Sequence, residues 1–190
     1  MNEEKTVYFE KPGKENTQKT LELSIRAAKQ LKSKILLIPS TTGFSAELAL
    51  DMIDDEINLV VIGHSYGFKE PGKNEMEPKT INRLWETKNA SVFFATHAFT
   101  GIEKSFSSKY GGMYPHRMVA DTLRIFSQGT KVLFEDMVMA ADAGLIPIHE
   151  DIVSVGGTGR GLDTAMIIKS VHAGELFQSA VKSVLCLPLK

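Results

Sequence analysis

The chain has 190 residues, of which 43% are hydrophobic and 24% charged; this is ordinary globular usage, far from the composition of a disordered chain. That length fits one domain of about 100–200 residues and leaves no room for a (β/α)8 barrel of roughly 250 with anything beside it. The 22 basic and 23 acidic side chains give a formal charge of −1, so no global basic field exists to collect nucleic acid or anionic lipid.

The opening tract Met1-Asn2-Glu3-Glu4-Lys5 is followed by no apolar leader. No run approaches the roughly 18 apolar residues of a membrane span, and the expectation is a soluble, cytoplasmic protein. The first helical pattern runs from about Asn16 to Lys32, with Leu21, Ile25, Ala28 and Leu31 on one stripe and Asn16 or Thr17 as N-cap. Strands are predicted at Ile35–Ile38, Leu59–Ile62, Ser91–Ala95 and Ile152–Val155, alternating with helices at Ala46–Asp55, Pro78–Thr87, Tyr114–Ser127 and Lys131–Ala143. Gly144 reads as the stop of the last of these, and Pro147 prevents its resumption. Thr164–Ser170 has strand character, Ala173–Lys182 reads as helical, and Val184–Leu187 reads as a closing strand. The only cysteine, Cys186, lies in that apolar run and reads as a buried, inert thiol. The alternation predicts an α/β domain over residues 1–190, with helices covering a mostly parallel sheet.

The loops at the strand ends carry the chemistry. The segments are Ser40-Thr41-Thr42-Gly43-Phe44-Ser45, Gly63-His64-Ser65-Tyr66-Gly67-Phe68, Thr96-His97-Ala98-Phe99-Thr100-Gly101 and Gly156-Gly157-Thr158-Gly159-Arg160-Gly161. In an open α/β sheet these loops gather at the carboxyl edge, where ligands bind at the switch point of the strand order. The Ser40 loop opens a helix and so makes an anion site or a plain cap. Four glycines within six residues mean either close backbone approach or an ordinary hairpin turn. Neither G-x-G-x-x-G nor a Gly-Lys-Ser/Thr signature is met. Roughly three charge-assisted hydrogen bonds at about 1.5 kcal/mol each support only about millimolar binding of a bare phosphate. About 4 kcal/mol more, from a flat apolar body stacked on aromatic rings, brings the affinity to micromolar. Phe44, Tyr66, Phe68 and Phe99 fall in these loops, either for stacking or for core packing.

Gly63-His64-Ser65-Tyr66-Gly67 matches the G-x-S-x-G nucleophile elbow, with Asp142 or Asp163 and His172 available to complete a serine-hydrolase triad. The Pro71-Gly72 pair just beyond it argues for a loop where the elbow needs a helix. His64 and His97 could share a zinc ion assembled across the fold, although no histidine pair has ligand spacing. Asp54-Asp55 and Glu135-Asp136 read as solvated helix faces or N-terminal helix charges. Met137, Val138 and Met139 read as an exposed apolar face suited to a homo-oligomer.

Six stretches occur in one order: Pro12-Gly13-Lys14-Glu15-Asn16-Thr17, Ser40–Gly43, His64–Phe68, Asp121-Thr122-Leu123-Arg124, Met139–Gly144 and Gly156–Ala165. Together they make the chain resemble the stand-alone pyruvate kinase alpha/beta domain-like proteins, relatives of the pyruvate kinase C-terminal domain. The resemblance implies a three-layer sandwich whose strands ending at Ser40 and Gly156 are neighbours, with the Thr164–Ser170 strand antiparallel at one edge. It also implies flavin mononucleotide as the ligand and no kinase activity, since the catalytic barrel is missing. Its glycine loop lacks the Trp-Arg pair of many sugar-bisphosphate sites. On this reading Ser40, Thr41, Thr42 and Gly43 hold the phosphate. Gly156, Gly157, Thr158, Gly159, Arg160 and Gly161 close the opposite side, with Asp163 and Thr164 next to them. Phe44, His64, Tyr66, Gly67, Phe68 and His97 line the ring end, and Asn16 and Thr17 join from the first helix. No catalytic residue and no metal are assigned. The alternatives are a regulatory sensor of a sugar phosphate or nucleotide, and the Ser65 hydrolase.

Overall fold

Continuous runs of Ile, Leu and Val are stable as strands only where both faces of the sheet are covered. The computed structural model describes residues 5–189, so Met1 to Glu4 of the opening tract lie outside it. Its strands are β1 (Val7–Phe9), β2 (Ile35–Pro39), β3 (Asn58–His64), β4 (Ala90–Ala95), β5 (Asp151–Gly156), β6 (Thr164–Lys169) and β7 (Val181–Pro188). They form one seven-stranded sheet in the order β1-β7-β6-β5-β2-β3-β4. Its helices are α1 (Thr17–Ala28), α2 (Phe44–Met52), α3 (Pro78–Glu86), α4 (Glu103–Tyr110), α5 (Pro115–Leu123) and α6 (Gln128–Asp142).

The pleat sorts the apolar side chains into two cores. Leu36, Ile38, Leu59, Val61, Val153 and Val155 pack with α1, α2 and α3. Ile35, Leu37, Val60, Ile62 and Ile152 pack on the other face with α5 and α6. Helices therefore cover both sides, as the alternation predicted. Chain order reverses between β2 and β5: β3 and β4 build outward on one side of β2, while β5 lies on the other. The strands ending at Ser40 and Gly156 are thus parallel neighbours.

Several expectations need correction. β6 is antiparallel to both β5 and β7 but lies inside the sheet rather than at its edge, because β7 and the short β1 extend the sheet beyond it. Three residues are too few for β1 to show a periodicity. The segment Ala173–Lys182 is not an α-helix. It forms a 3₁₀ segment, Ala173–Gln178, and its last residues join β7, where pairing with β6 outweighs local helical pattern. The helix expected to reach Ser127 ends at Leu123, since Ser127 is extended and caps α6, its hydroxyl accepting from Thr130 N–H at 2.8 Å. Met137, Val138 and Met139 are buried in the second core, because α6 packs against β2, β3, β5 and β6, so they offer no surface for a homo-oligomer. Glu135 and Asp136 are buried with them, not solvated. Cys186 is buried, and burial pushes its thiol up to about 11. Among the described residues, no helix is long and apolar enough to cross a membrane.

One close approach seats α6 on the sheet. Gly156, at the end of β5, lies so near the backbone of Gly129 that a Cβ at 156 would collide with the Gly129 carbonyl. Gly156→Ala is expected to cost about 3 kcal/mol in denaturant unfolding, while Gly174→Ala, whose added methyl meets nothing within 4 Å, changes stability by less than about 0.5 kcal/mol.

Candidate functional site

Because β2, β3, β4 and β5 run parallel, the loops after them share one edge. There they surround a cleft of about 490 Å³ at the β2/β5 switch point. Pro39 and the loop after β2 form one wall, and Gly43, left-handed at φ 99°, turns that loop into α2. Ser40 accepts from the Ala46 N–H at 3.3 Å, so its hydroxyl caps the helix. Thr41, Thr42, Phe44 and Ser45 reach the cleft around the start of α2. α6 starts at the same edge and contributes Gln128, Lys131, Val132 and Asp136. Two helix N-termini thus lie beside one cavity, where their unpaired N–H groups favour an anion. Lys104, Arg117, Lys131 and Arg160 line the cleft against one carboxyl, Asp136.

The remaining wall is a cluster of rings. Phe68 stands 4.0 Å from His64 and 5.4 Å from His97, centroid to centroid, and the two imidazoles are 4.9 Å apart. Each imidazole is fixed by a carboxylate. His64 Nδ1 donates to Glu75 Oε2 at 2.8 Å, and Thr41 Oγ1 lies 3.4 Å from its Nε2. His97 Nδ1 donates to Glu135 Oε2, also at 2.8 Å. Burial holds the His64 imidazole below its ordinary range despite the opposing Glu75 bond, so it is neutral at pH 7. A neutral imidazole anchored at Nδ1 presents Nε2 as an acceptor.

Glu135 has no exposed surface, yet it stays ionised. Burial pushes its carboxyl up, but the bond from His97 and the charge of buried Lys131 hold it below the usual carboxylate range. The Phe99 N–H adds a third donor at 2.9 Å. Asp136, the next residue in the chain, has no such support: full burial and the Glu135 charge push it well above the ordinary aspartate range. Glu75, Lys104, Arg117, Gln128, Lys131, Glu135 and Asp136 escaped the sequence reading, although charges in a helix as apolar as Lys131–Ala141 were a usable signal.

The predicted residues divide. Ser40, Thr41, Thr42, Phe44, His64, Phe68, His97, Gly157, Arg160 and Gly161 line the cleft, and Gly43 sets its turn. The others do not line it. Asn16 donates from its side chain to the Lys11 carbonyl, and Thr17 bridges the Lys14 carbonyl and the Leu162 N–H. Asp163 accepts from the Gly13 N–H at 3.0 Å and the Thr164 hydroxyl at 2.9 Å, and Thr164 also meets Ser127. Thr17, Asp163 and Thr164 tie the end of the glycine loop to the N-terminal segment and to α6, while Asn16 bonds within the N-terminal segment. Tyr66 is exposed and edges onto Phe94, Gly67 and Gly159 turn the chain at positive φ, Gly156 packs against Gly129, and the Thr158 carbonyl accepts from the Gly161 N–H at 3.2 Å. Part of the glycine richness belongs to packing, since a Cβ at Gly161 would collide with the Lys14 backbone.

The nucleophile elbow is absent. No helix begins after Ser65 until Pro78, and Asp142 pairs with His172 at 2.9 Å beyond the ends of α6 and β6, at the opposite edge of the sheet. Asp163 is engaged with the Gly13 N–H and Thr164. Among the described residues, no three His, Cys, Asp or Glu side chains are arranged to hold a metal ion. No protein-family model matches the chain.

Glu135→Gln leaves Lys131 buried without a counter-charge and is expected to lower stability by about 3 kcal/mol at pH 7. Because the folded Glu135 is held below its unfolded value, its stabilisation is present above the unfolded value of about 4.3 and is lost as pH falls through the folded value. Denaturant unfolding should therefore show the wild-type advantage holding above the unfolded value of about 4.3 and shrinking as pH falls below it.

Proposed function

We propose that the protein binds a phosphorylated small molecule with a flat ring, flavin mononucleotide foremost, at the carboxyl edge of its sheet. One observation carries the reading. The N-terminus of α2 and the Arg160 side chain meet in a cleft of about 490 Å³ whose further wall is Phe68, His64 and His97. The phosphate goes to the Thr41–Ser45 N–H groups and hydroxyls with Arg160, and the ring goes to the aromatic wall. The volume lies in the range of small-molecule sites, about 300–1,000 Å³. The parallel pairing of β2 with β5 and the order of the six motifs support descent from a pyruvate kinase C-terminal-like domain, which favours flavin mononucleotide among flat phosphorylated ligands.

A second reading, a sensor of a sugar bisphosphate or nucleotide, is favoured by an adjoining recess of about 220 Å³. Thr42, Lys69, Lys73 and Arg160 line it together with Glu70, Asn74 and Glu75, and a further phosphate there would take Lys73 from Glu70 and Arg160 from Glu75.

Titration of flavin mononucleotide against the protein should quench the flavin fluorescence, and saturation should raise the unfolding temperature. A protein that is neither stabilised nor quenching sinks the flavin reading. Stabilisation by sugar bisphosphates alone turns it into the sensor. Thr42→Asp, which sets a negative charge against the phosphate, is expected to abolish the stabilisation. Arg160 sits at φ 67°, so Arg160→Gly relieves about 1 kcal/mol of backbone strain. The expected result is unfolding at equal or higher denaturant with affinity about tenfold weaker, because a charge-assisted bond of about 1.5 kcal/mol is lost.

A further inference from the structure

Asp136 is 2% exposed, and its Oδ2 is the one buried side-chain nitrogen or oxygen among the described residues without a hydrogen-bond partner. Leaving a buried polar atom unpaired costs about 1–3 kcal/mol, so such an atom in an otherwise satisfied interior calls for an explanation. Its position supplies one. Gln128, Val132 and Asp136 stand four residues apart on α6 and form a single stripe along the cleft wall. At 1.5 Å per residue, Asp136 lies about 12 Å further along the helix than Gln128, away from the edge where α2 and α6 begin.

We propose that Asp136 is the hydrogen-bond donor that recognises an acceptor atom, a carbonyl oxygen or an unprotonated ring nitrogen, on the inner end of the bound ligand. The inference rests on the phosphate-and-ring reading and assigns the end that the phosphate does not occupy. A carboxyl donates only while it holds its proton. Burial and the neighbouring Glu135 charge keep the proton on Asp136, against the opposing pull of Lys131. The other titratable and charged groups on this cleft are His64, His97, Lys104, Arg117 and Arg160, from the ends of β3 and β4, from α4, from α5 and from the loop after β5. Glu135 is committed to His97, Lys131 and the Phe99 N–H and does not line the cleft, so among the described residues Asp136 is the one carboxyl there. A ligand offering only an N–H at this point meets the carbonyl oxygen of the acid but leaves the Asp136 O–H unpaired, so it binds more weakly. Deprotonation removes the donor and sets a negative charge beside the acceptor, so affinity falls as pH rises.

The test is titration of flavin mononucleotide, followed by fluorescence quenching, into wild type, Asp136→Asn and Asp136→Leu between pH 6 and 9. The amide of Asp136→Asn keeps an N–H donor and is expected to bind within about threefold of wild type at pH 7, while Asp136→Leu loses at least about tenfold, the equivalent of one hydrogen bond. Wild-type affinity should fall towards pH 9 relative to Asp136→Asn; titrations of the ligand itself cancel in that comparison. The wild-type profile needs no variant to fold. Asp136→Leu binding as well as wild type, or superimposable profiles for wild type and Asp136→Asn, overturns this inference alone. Failure of the wild type to bind flavin mononucleotide overturns the proposed ligand and this inference with it.

Discussion

The backbone of Gly129, in the first turn of α6, touches that of Gly156 at the end of β5 with no side chain between them. That contact places the start of α6 at the carboxyl edge, beside the start of α2. The hydroxyls of Ser127, Thr130 and Thr164 and the carboxylate of Asp163 then interlock around it, joining helix, strand and glycine loop. The stripe carrying Gln128, Val132 and Asp136 faces the cleft because the helix is held there. Glu135, on the adjacent side, reaches His97 and the Phe99 backbone across the face of the sheet. A larger residue at either glycine would lift the helix and separate all of these groups together.

Two adjacent carboxyls in the same buried helix are pushed in opposite directions. Glu135 receives three donors and is held below the usual carboxylate range; Asp136, whose Oδ2 has no partner, is pushed well above the ordinary aspartate range. Burial penalises both equally in kind, and the difference lies in their hydrogen bonds. The arrangement lets Lys131 be buried against a counter-ion without placing two negative charges on the wall of a cleft lined by cations. Electrostatics and packing therefore act together: a fixed ion pair inside the second core orients His97, and the unpaired neighbour contributes a donor group.

Much of this was legible in the chain. The apolar runs at Ile35–Ile38, Leu59–Ile62 and Ile152–Val155 mark strands because nothing else buries them on both faces, and the small polar and glycine-rich segments after them mark the functional edge. Three kinds of information were not local. β1 exists only through its pairing with β7, and the strand character of Val181–Ser183 only through pairing with β6. The depth of α6 in the second core depends on which elements lie over it, so Glu135, Asp136 and Met137 read as surface residues. The glycine loop mixes two demands: Gly156, Gly157 and Gly161 allow close packing, and Gly157, Arg160 and Gly161 also line the cleft. Residue type cannot separate these, since the same absence of a Cβ serves both.

The N-terminal segment finds its partners in the last third of the chain. β1 pairs with β7, Gly13 donates to Asp163, and Thr17 accepts from the Leu162 N–H. During synthesis from the N-terminus, β1 and the residues up to Thr17 must wait for nearly the whole chain, and contacts of such long sequence separation form late. The glycine loop is held in shape only once that segment closes over it. The cleft edge is thus completed only after β7 has been made, and a nascent chain stalled before β7 would carry the loop that opens α2 without the clamped loop opposite.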